Sequence, residues 1–390
     1  MKYNFDEKID RKGSGCVKWD AIDDSELIPM WVADMDFKAA PCIIEAMQRR
    51  LDHGVFGYEK IPDTYYDAVI NWFSQRHNWN IQKEWILHTI GVVPALGVII
   101  NALTNENDKI LIQPPVYNCF FSMVTMNGRK HAFNNLVYHD NTYSIDFEDF
   151  ERKAADPDVK LFILCNPHNP ACRVWTKEEL KRMGEICIRN GVTIIADEIH
   201  CEIVRPAFLY TPFASISNEF QQHCIVCNAA SKAFNIAGLQ TSNIVVADTA
   251  MKEKIEKQLE SLEMGMGNPF GIEALTAAYN EGADWIDEMN LYIEQNYLTL
   301  SNFIKEKHPR LPILNCEGTY LAWMNIEATG MTSKEFEEQL LKEEHLWVNS
   351  GTMYGEEAGE GFVRINLACP RGQLEKALVC LDRFLCRKGF

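Results

Sequence analysis

The sequence predicts an α/β protein: a large unit on a mostly parallel sheet with helices on both faces, then a smaller α+β region. Three observations predict it. Short runs rich in Ile and Val, apolar almost throughout, alternate with helical patterns, as strands buried on both faces do. The alternation changes after about residue 282, where a long helical pattern is followed by strands set between helices. The 390 residues, 47% of them hydrophobic, also exceed what one core usually holds, so two lobes are expected.

Taken in order, "PCIIEAMQRRLDHG" begins at Pro41 and stops at Gly54, the proline-in, glycine-out asymmetry of a helix. "PDTYYDAVINWFSQRHN" repeats apolar residues at helical spacing. The strands are "WILHT", "KILIQ" (109–113), "LFILC" (161–165), "VTIIAD" (192–197), "CIVCNA" (224–229) and "SNIVVAD" (242–248). Between the third and fourth lies "TKEELKRMGEICIRNG", with Thr176 as cap, Glu179 completing a capping box and Gly191 as stop. Near the end, "DWIDEMNLYIEQNYLTLSNFIKEKH" reads as one long helix bridging the lobes, followed by "YLAWMNI", a helix, "FVRINLA" and a last helix. The expected division is a large domain over 46–282 and a small one formed by 1–45 with 283–390.

Composition narrows the function classes. The net charge of −17 argues against a nucleic-acid or anionic-membrane partner. The 13 cysteines are odd in number and scattered, which suits reduced thiols rather than a disulfide framework. Cys224 and Cys227 have CxxC spacing, but no second ligand pair accompanies them, so they read as strand residues and no metal site is expected. The N-terminus "MKYNFDEKIDRKGSG" lacks the apolar core of a signal peptide, and the longest apolar run, "IGVVPALGVII" (90–100), is too short to span a bilayer. A soluble, cytoplasmic protein is expected.

In an open α/β sheet, ligands bind at the carboxyl ends of the strands. After "LFILC" comes Asn166-Pro167-His168-Asn169-Pro170; after "VTIIA" come Asp197, Glu198, Ile199 and His200; after "CIVCNAA" come Ser231 and Lys232. "WILHT" leads into Ile90-Gly91-Val92-Val93-Pro94 at a helix start, whose free N–H groups suit a phosphate, and "KILIQ" leads to Tyr117. Taken singly, most of these are ordinary turns, caps and packing. Together they meet the needs of pyridoxal 5′-phosphate. Its aldehyde requires a lysine, its ring nitrogen a carboxylate, its phenolic oxygen a hydrogen-bond donor, its ring face an aromatic neighbour and its phosphate a helix start. Lys232, Asp197, Asn169, Tyr117 and the 91–93 turn supply these in that order. Small residues around Lys232 in "NAASKAFNIAGL" leave room for a flat ring against the backbone.

"SKAFNIAGL", "NPHNP" and "ADEIH" resemble fold-type I pyridoxal-phosphate enzymes of the class I/II aminotransferase superfamily. "PMWVADMDF", "VFGYEKIPDTYYDAVINWF", "GVVPAL", "QPPVYNCFF", "GTYLAWMNI" and "VRINLACPR" resemble its cystathionine β-lyase or C–S lyase branch. The resemblance covers nearly the whole chain and implies a mixed, seven-stranded sheet. It implies that Lys232 is the Schiff-base lysine and proton shuttle, and that Asp197 pairs with the ring nitrogen. Asn169 and His200 would lie near the phenolic oxygen, and Tyr117 would stack on the ring. Val92, Val93 and Ser231 would hold the phosphate, and Tyr58 would reach the phosphate of the neighbouring subunit of a homodimer. Arg364 would bind the substrate α-carboxylate, with Trp31, Ala33 and Asp34 lining the entrance. Four positions depart from the family pattern. Ala171-Cys172 follow Asn169-Pro170 where Thr-Gly or Gly-Gly is usual, Gln240 stands where many aminotransferases carry arginine, and Ala229 replaces a frequent serine.

The expected activity is β-elimination of L-cystathionine or other L-cysteine S-conjugates to pyruvate, ammonia and a thiol. An aminotransferase shares the chemistry as far as the carbanion, and only the branch-specific motifs separate the two. A regulator using the fold without turnover is the third reading. The fold motif begins by residue 31, so no DNA-binding domain is expected ahead of it.

Overall fold

Seven strands in one sheet organise the chain, a computed structural model describing residues 2–390. They are β1 (Ile86–Thr89), β2 (Lys109–Ile112), β3 (Lys130–Phe133), β4 (Val159–Cys165), β5 (Thr193–Asp197), β6 (Cys224–Asn228) and β7 (Ser242–Val246). Their spatial order is β1-β7-β6-β5-β4-β2-β3. The pairs from β6 across to β3 are parallel, and β7 runs antiparallel to both β6 and β1. The sheet is therefore mixed and seven-stranded, as the resemblance implied. β6 and β7 are buried at every position, which is why they read as unbroken apolar runs rather than as alternation. Edge strand β3 was not anticipated, because in Lys-His-Ala-Phe only Ala132 is buried and no apolar run announces it.

The helices follow the caps read from sequence. They include α1 (Pro41–His53), α2 (Asp63–His77), α3 (Val92–Leu103), α4 (Asn118–Met126) and α5 (Lys177–Arg189). After these come α6 (Thr249–Ser261), α7 (Pro269–Glu281), α8 (Ala283–Lys307), α9 (Ser333–Glu344) and α10 (Arg371–Arg387). Gly54 ends α1 at φ 74° with its N–H on the Leu51 carbonyl, and Thr176 and Glu179 close a reciprocal capping box at α5. α1 passes through the expected 45/46 boundary without a break and packs against α7.

The pleat sends successive strand residues to two apolar clusters, one on each face. In β4, Leu161 and Ile163 join one cluster, while Phe162 and Leu164 join the other. The latter cluster continues into the C-terminal region, where β8 (Leu321–Asn325), β9 (Asn349–Ser350) and β10 (Phe362–Asn366) form an antiparallel sheet ordered β8-β10-β9. Trp323 and Phe362 stack there, with centroids 5.3 Å apart.

The N-terminal segment is fastened by charge. Asp36 accepts from Lys18 Nζ at 2.8 Å, Arg11 at 2.6 Å, Trp19 Nε1 at 2.8 Å and Gln373 at 3.1 Å. Burial alone would raise its pKa, but Lys18 and the other donors outweigh it and hold the carboxyl below the usual range. Lys18→Met removes a cation that is 1% exposed and leaves its partner enclosed. We expect a loss of about 3 kcal/mol at neutral pH, read by denaturant unfolding. Because the folded pKa is depressed, the wild-type cluster stabilises fully above the unfolded Asp pKa of about 3.9. That stability is lost as pH falls through the folded value, so the two proteins should converge in acid.

Candidate active site

The carboxyl ends of β4, β5 and β6 and the start of α3 meet at one edge of the sheet, around a cavity of about 180 Å³. Ala33, Val92, Val93, Tyr117 and Asn169 line it, and so do Asp197, His200, Ser231 and Lys232. One edge thus collects most of the residues singled out in the sequence. Lys232 follows β6 and donates from Nζ to the Ala33 carbonyl at 2.7 Å. Burial lowers its pKa, Arg364 adds to the fall, and Asp34 and Asp197 oppose it.

Asp197 ends β5, the central strand of the sheet, and is buried. Among the described residues, its carboxylate accepts only the Ile199 N–H, at 3.2 Å. Burial pushes its pKa up to about 7, against smaller opposing effects of that N–H and of Lys232. His200 is neutral: burial, with Lys232 and Arg364 nearby, pushes its pKa down to about 3. Its Nδ1 is buried without a partner. Burial likewise raises the Tyr117 phenol, which keeps its proton.

Asn169 shows how distant segments converge. Its Oδ1 accepts from Arg364 Nη1 at 3.1 Å, across 195 residues of sequence, so its amide nitrogen points the other way. Arg364 is 3% exposed, donates also to the Trp31 carbonyl at 2.8 Å and lies over the Tyr354 ring at 4.7 Å. The Ala171-Cys172 departure is accommodated by backbone. Cys172 takes φ 60°, and its carbonyl receives the N–H groups of Glu317 and Gly318.

Four expected residues do not line the cavity. Arg364 stands behind Asn169. Trp31 stacks on Trp347 with centroids 4.2 Å apart. Asp34 pairs with Arg11 at 2.8 Å, beside the cavity-lining Ala33. Tyr58 projects from the 54–62 loop and is 92% exposed.

Other contributors were missed. Asn235 ties the turn of Lys232 to the N-terminal segment: it accepts the Met35 N–H and donates to the Met35 and Phe37 carbonyls, all at 2.9–3.0 Å. Tyr320 donates to the Ala33 carbonyl at 3.0 Å. Thr241 also lines the cavity. A search of carboxyl strand ends passes over it, because it stands at the beginning of β7, and only the antiparallel course of that strand brings it to this edge.

Among the described residues, His77, Cys201 and Glu202 hold metal-type ligand atoms within 4.8 Å of one another. Trp72 and Arg76 already donate to the Glu202 carboxylate and His77 pairs with it, so the cluster is a satisfied ion group.

The family model for aminotransferase class I and II matches residues 25–381. The chain belongs to the class I and II aminotransferase family. Within that family it is 41% identical over 379 residues to cystathionine beta-lyase PatB of Bacillus subtilis (strain 168), covering 96% of this chain and 98% of the relative. Cystalysin from Treponema denticola, whose structure contains pyridoxal 5′-phosphate, superimposes with a TM-score of 0.96 at 34% identity, covering 99% of this chain and 100% of that one. A PLP-bound protein of Clostridium difficile 630, named provisionally as an aminotransferase, gives a TM-score of 0.95 at 43% identity, covering 97% of this chain and 99% of that one.

The family's coenzyme fits the residues present. Asp197 is an enclosed carboxylate with no cation bonded to it, and a protonated ring nitrogen would satisfy it. The start of α3 carries no side-chain cap, so its first N–H groups are open to an anion. Asn169 turns a donor away from Arg364, and His200 keeps an unpaired nitrogen.

Proposed function

We propose that this chain is a pyridoxal-5′-phosphate-dependent carbon–sulfur β-lyase that converts L-cystathionine, or another L-cysteine S-conjugate, to pyruvate, ammonia and a thiol. The observation that carries this reading is Lys232 and the buried Asp197, bonded to no cation, in one cavity of a chain similar over nearly its full length to proteins named cystathionine beta-lyase and C–S lyase.

Pyridoxal 5′-phosphate, when bound, supplies an electron sink that acidifies the substrate Cα proton. The chain's residues do the rest. Lys232, its pKa lowered by burial and by Arg364, would accept that proton. Asp197 would hold a proton at the ring nitrogen. The Asn169 amide and His200 would donate toward the phenolic oxygen, and Tyr117 would cover one ring face. The N–H groups of Val92 and Val93, with Ser231, would receive the phosphate. Arg364 offers a planar fork to the substrate α-carboxylate, with Ala33, Trp31 and Asp34 at the entrance. Loss of the thiolate from Cβ then leaves an enamine that hydrolyses to pyruvate and ammonia.

The same reading makes the active unit a homodimer in which Tyr58 reaches the partner's phosphate. The exposure of Tyr58 together with Val55 (62%) and Phe56 (50%) supports a covered face there. It also places the enzyme in the cytoplasm. Among the described residues, no helix is long and apolar enough to cross a membrane.

The test is pyruvate release from L-cystathionine with no keto acid added. Release under that condition supports the lyase, and strict dependence on a keto-acid acceptor would replace it with an aminotransferase. Arg364→Lys should raise KM by about tenfold or more, because a single ammonium cannot serve the carboxylate and Asn169 together. Steady-state kinetics on the same substrate check this.

A further inference from the structure

We propose that the Thr241 hydroxyl, oriented by His88 behind it, is a ligand of the coenzyme phosphate. This rests on the coenzyme reading above and concerns the one corner of the site that the family pattern leaves short of charge. Gln240, where the resemblance to aminotransferases would lead one to expect arginine, is neutral and exposed. Pro94, in the first turn of α3, has no N–H to contribute.

Thr241 is 2% exposed and lines the cavity beside Gly91 and Gln240. Its Oγ1 is 3.2 Å from His88 Nε2 and 3.4 Å from the Tyr65 hydroxyl. The protons on these groups can be assigned one by one. Asn243 Nδ2 donates to Asn228 Oδ1 at 3.1 Å, which turns Asn243 Oδ1 toward Tyr65. Tyr65 donates to that oxygen at 2.8 Å, so its single proton is committed and none is left for Thr241.

His88 is enclosed, and burial pushes its pKa down to about 4, so the ring is neutral at physiological pH. Its Nδ1 has no partner. An N–H sealed away without an acceptor is the rarer burial, which assigns the proton to Nε2 and makes His88 a donor to Thr241. The Thr241 proton is then free, and the one protein acceptor near it is the Tyr65 oxygen at 3.4 Å, a poor distance for O–H···O. A phosphate oxygen in the cavity is a far better acceptor, since hydrogen bonds to anions are the short, strong class.

The experiment compares dissociation constants of the apo-protein for pyridoxal 5′-phosphate and for pyridoxal, which lacks the phosphate, with inorganic phosphate as competitor. Thr241→Val should weaken pyridoxal 5′-phosphate about tenfold or more and weaken competition by phosphate, while leaving pyridoxal unchanged. Thr241→Ser should retain wild-type affinity, and His88→Leu should weaken the phosphate ester alone. Should Thr241→Val not fold, Thr241→Ala carries the same expectation. Equal affinities for Thr241→Val and wild type, or equal losses for pyridoxal and its phosphate, would overturn the assignment while leaving the coenzyme reading intact. A wild-type apo-protein that takes up neither aldehyde would overturn both.

Discussion

Lys232→Ala is expected to lower pyruvate release from L-cystathionine by about 10⁴-fold or more, because one side chain supplies both the covalent attachment and the proton transfer. The geometry explains why no neighbour takes over. His200 is held neutral at a pKa near 3 and is too weak a base. Tyr117 and Tyr320 keep their protons, since burial raises both phenols. Asp197, on the proposed reading, would be engaged at the ring nitrogen. A small exogenous amine that fits the space vacated by the lysine should restore part of the rate. Folding should survive, since the Asn235 clamp on the N-terminal segment does not involve Lys232.

Asp197→Asn should lower kcat by about 10²- to 10³-fold, the usual range for removing one preorganised electrostatic partner. Its second effect has the opposite sign and separates chemistry from folding. The Asp197 pKa in the apo-protein is raised from 3.8 to about 7, so the folded state binds the proton more tightly than the unfolded chain does. Stability of the apo-protein therefore falls as pH rises between those values, by a few kcal/mol at most. Apo Asp197→Asn carries no such penalty and should melt above apo wild type at neutral pH, with the difference vanishing in acid. Coenzyme supplies the missing cation, so the wild-type deficit should close on reconstitution. Melting curves of apo and reconstituted protein across this pH range check each part.

Most strands and helix boundaries were legible because their causes are local. Thr176 and Glu179 sit three residues apart and satisfy each other's orphan N–H groups, so the start of α5 was readable. The ends of β4, β5 and β6 were readable because buried strands leave unbroken apolar runs, and cavity-lining residues follow directly. β3 left no such run, since it lies at the edge with most of its side chains out of the core. The site residues that escaped are those whose role comes from chain reversal or from contacts across about half the sequence or more. Thr241 depends on the antiparallel course of β7. Asn235 acts only through Met35 and Phe37, and the orientation of Asn169 is set by Arg364. No pattern within a window of sequence encodes such pairs.

The central claim is a covalent bond between the Lys232 amine and the aldehyde of pyridoxal 5′-phosphate. Purified protein supplied with the coenzyme should absorb visible light, lose that absorbance on treatment with borohydride, and yield a peptide whose added mass maps to Lys232. An adduct on another lysine, or a visible spectrum that borohydride leaves unaltered, would contradict it.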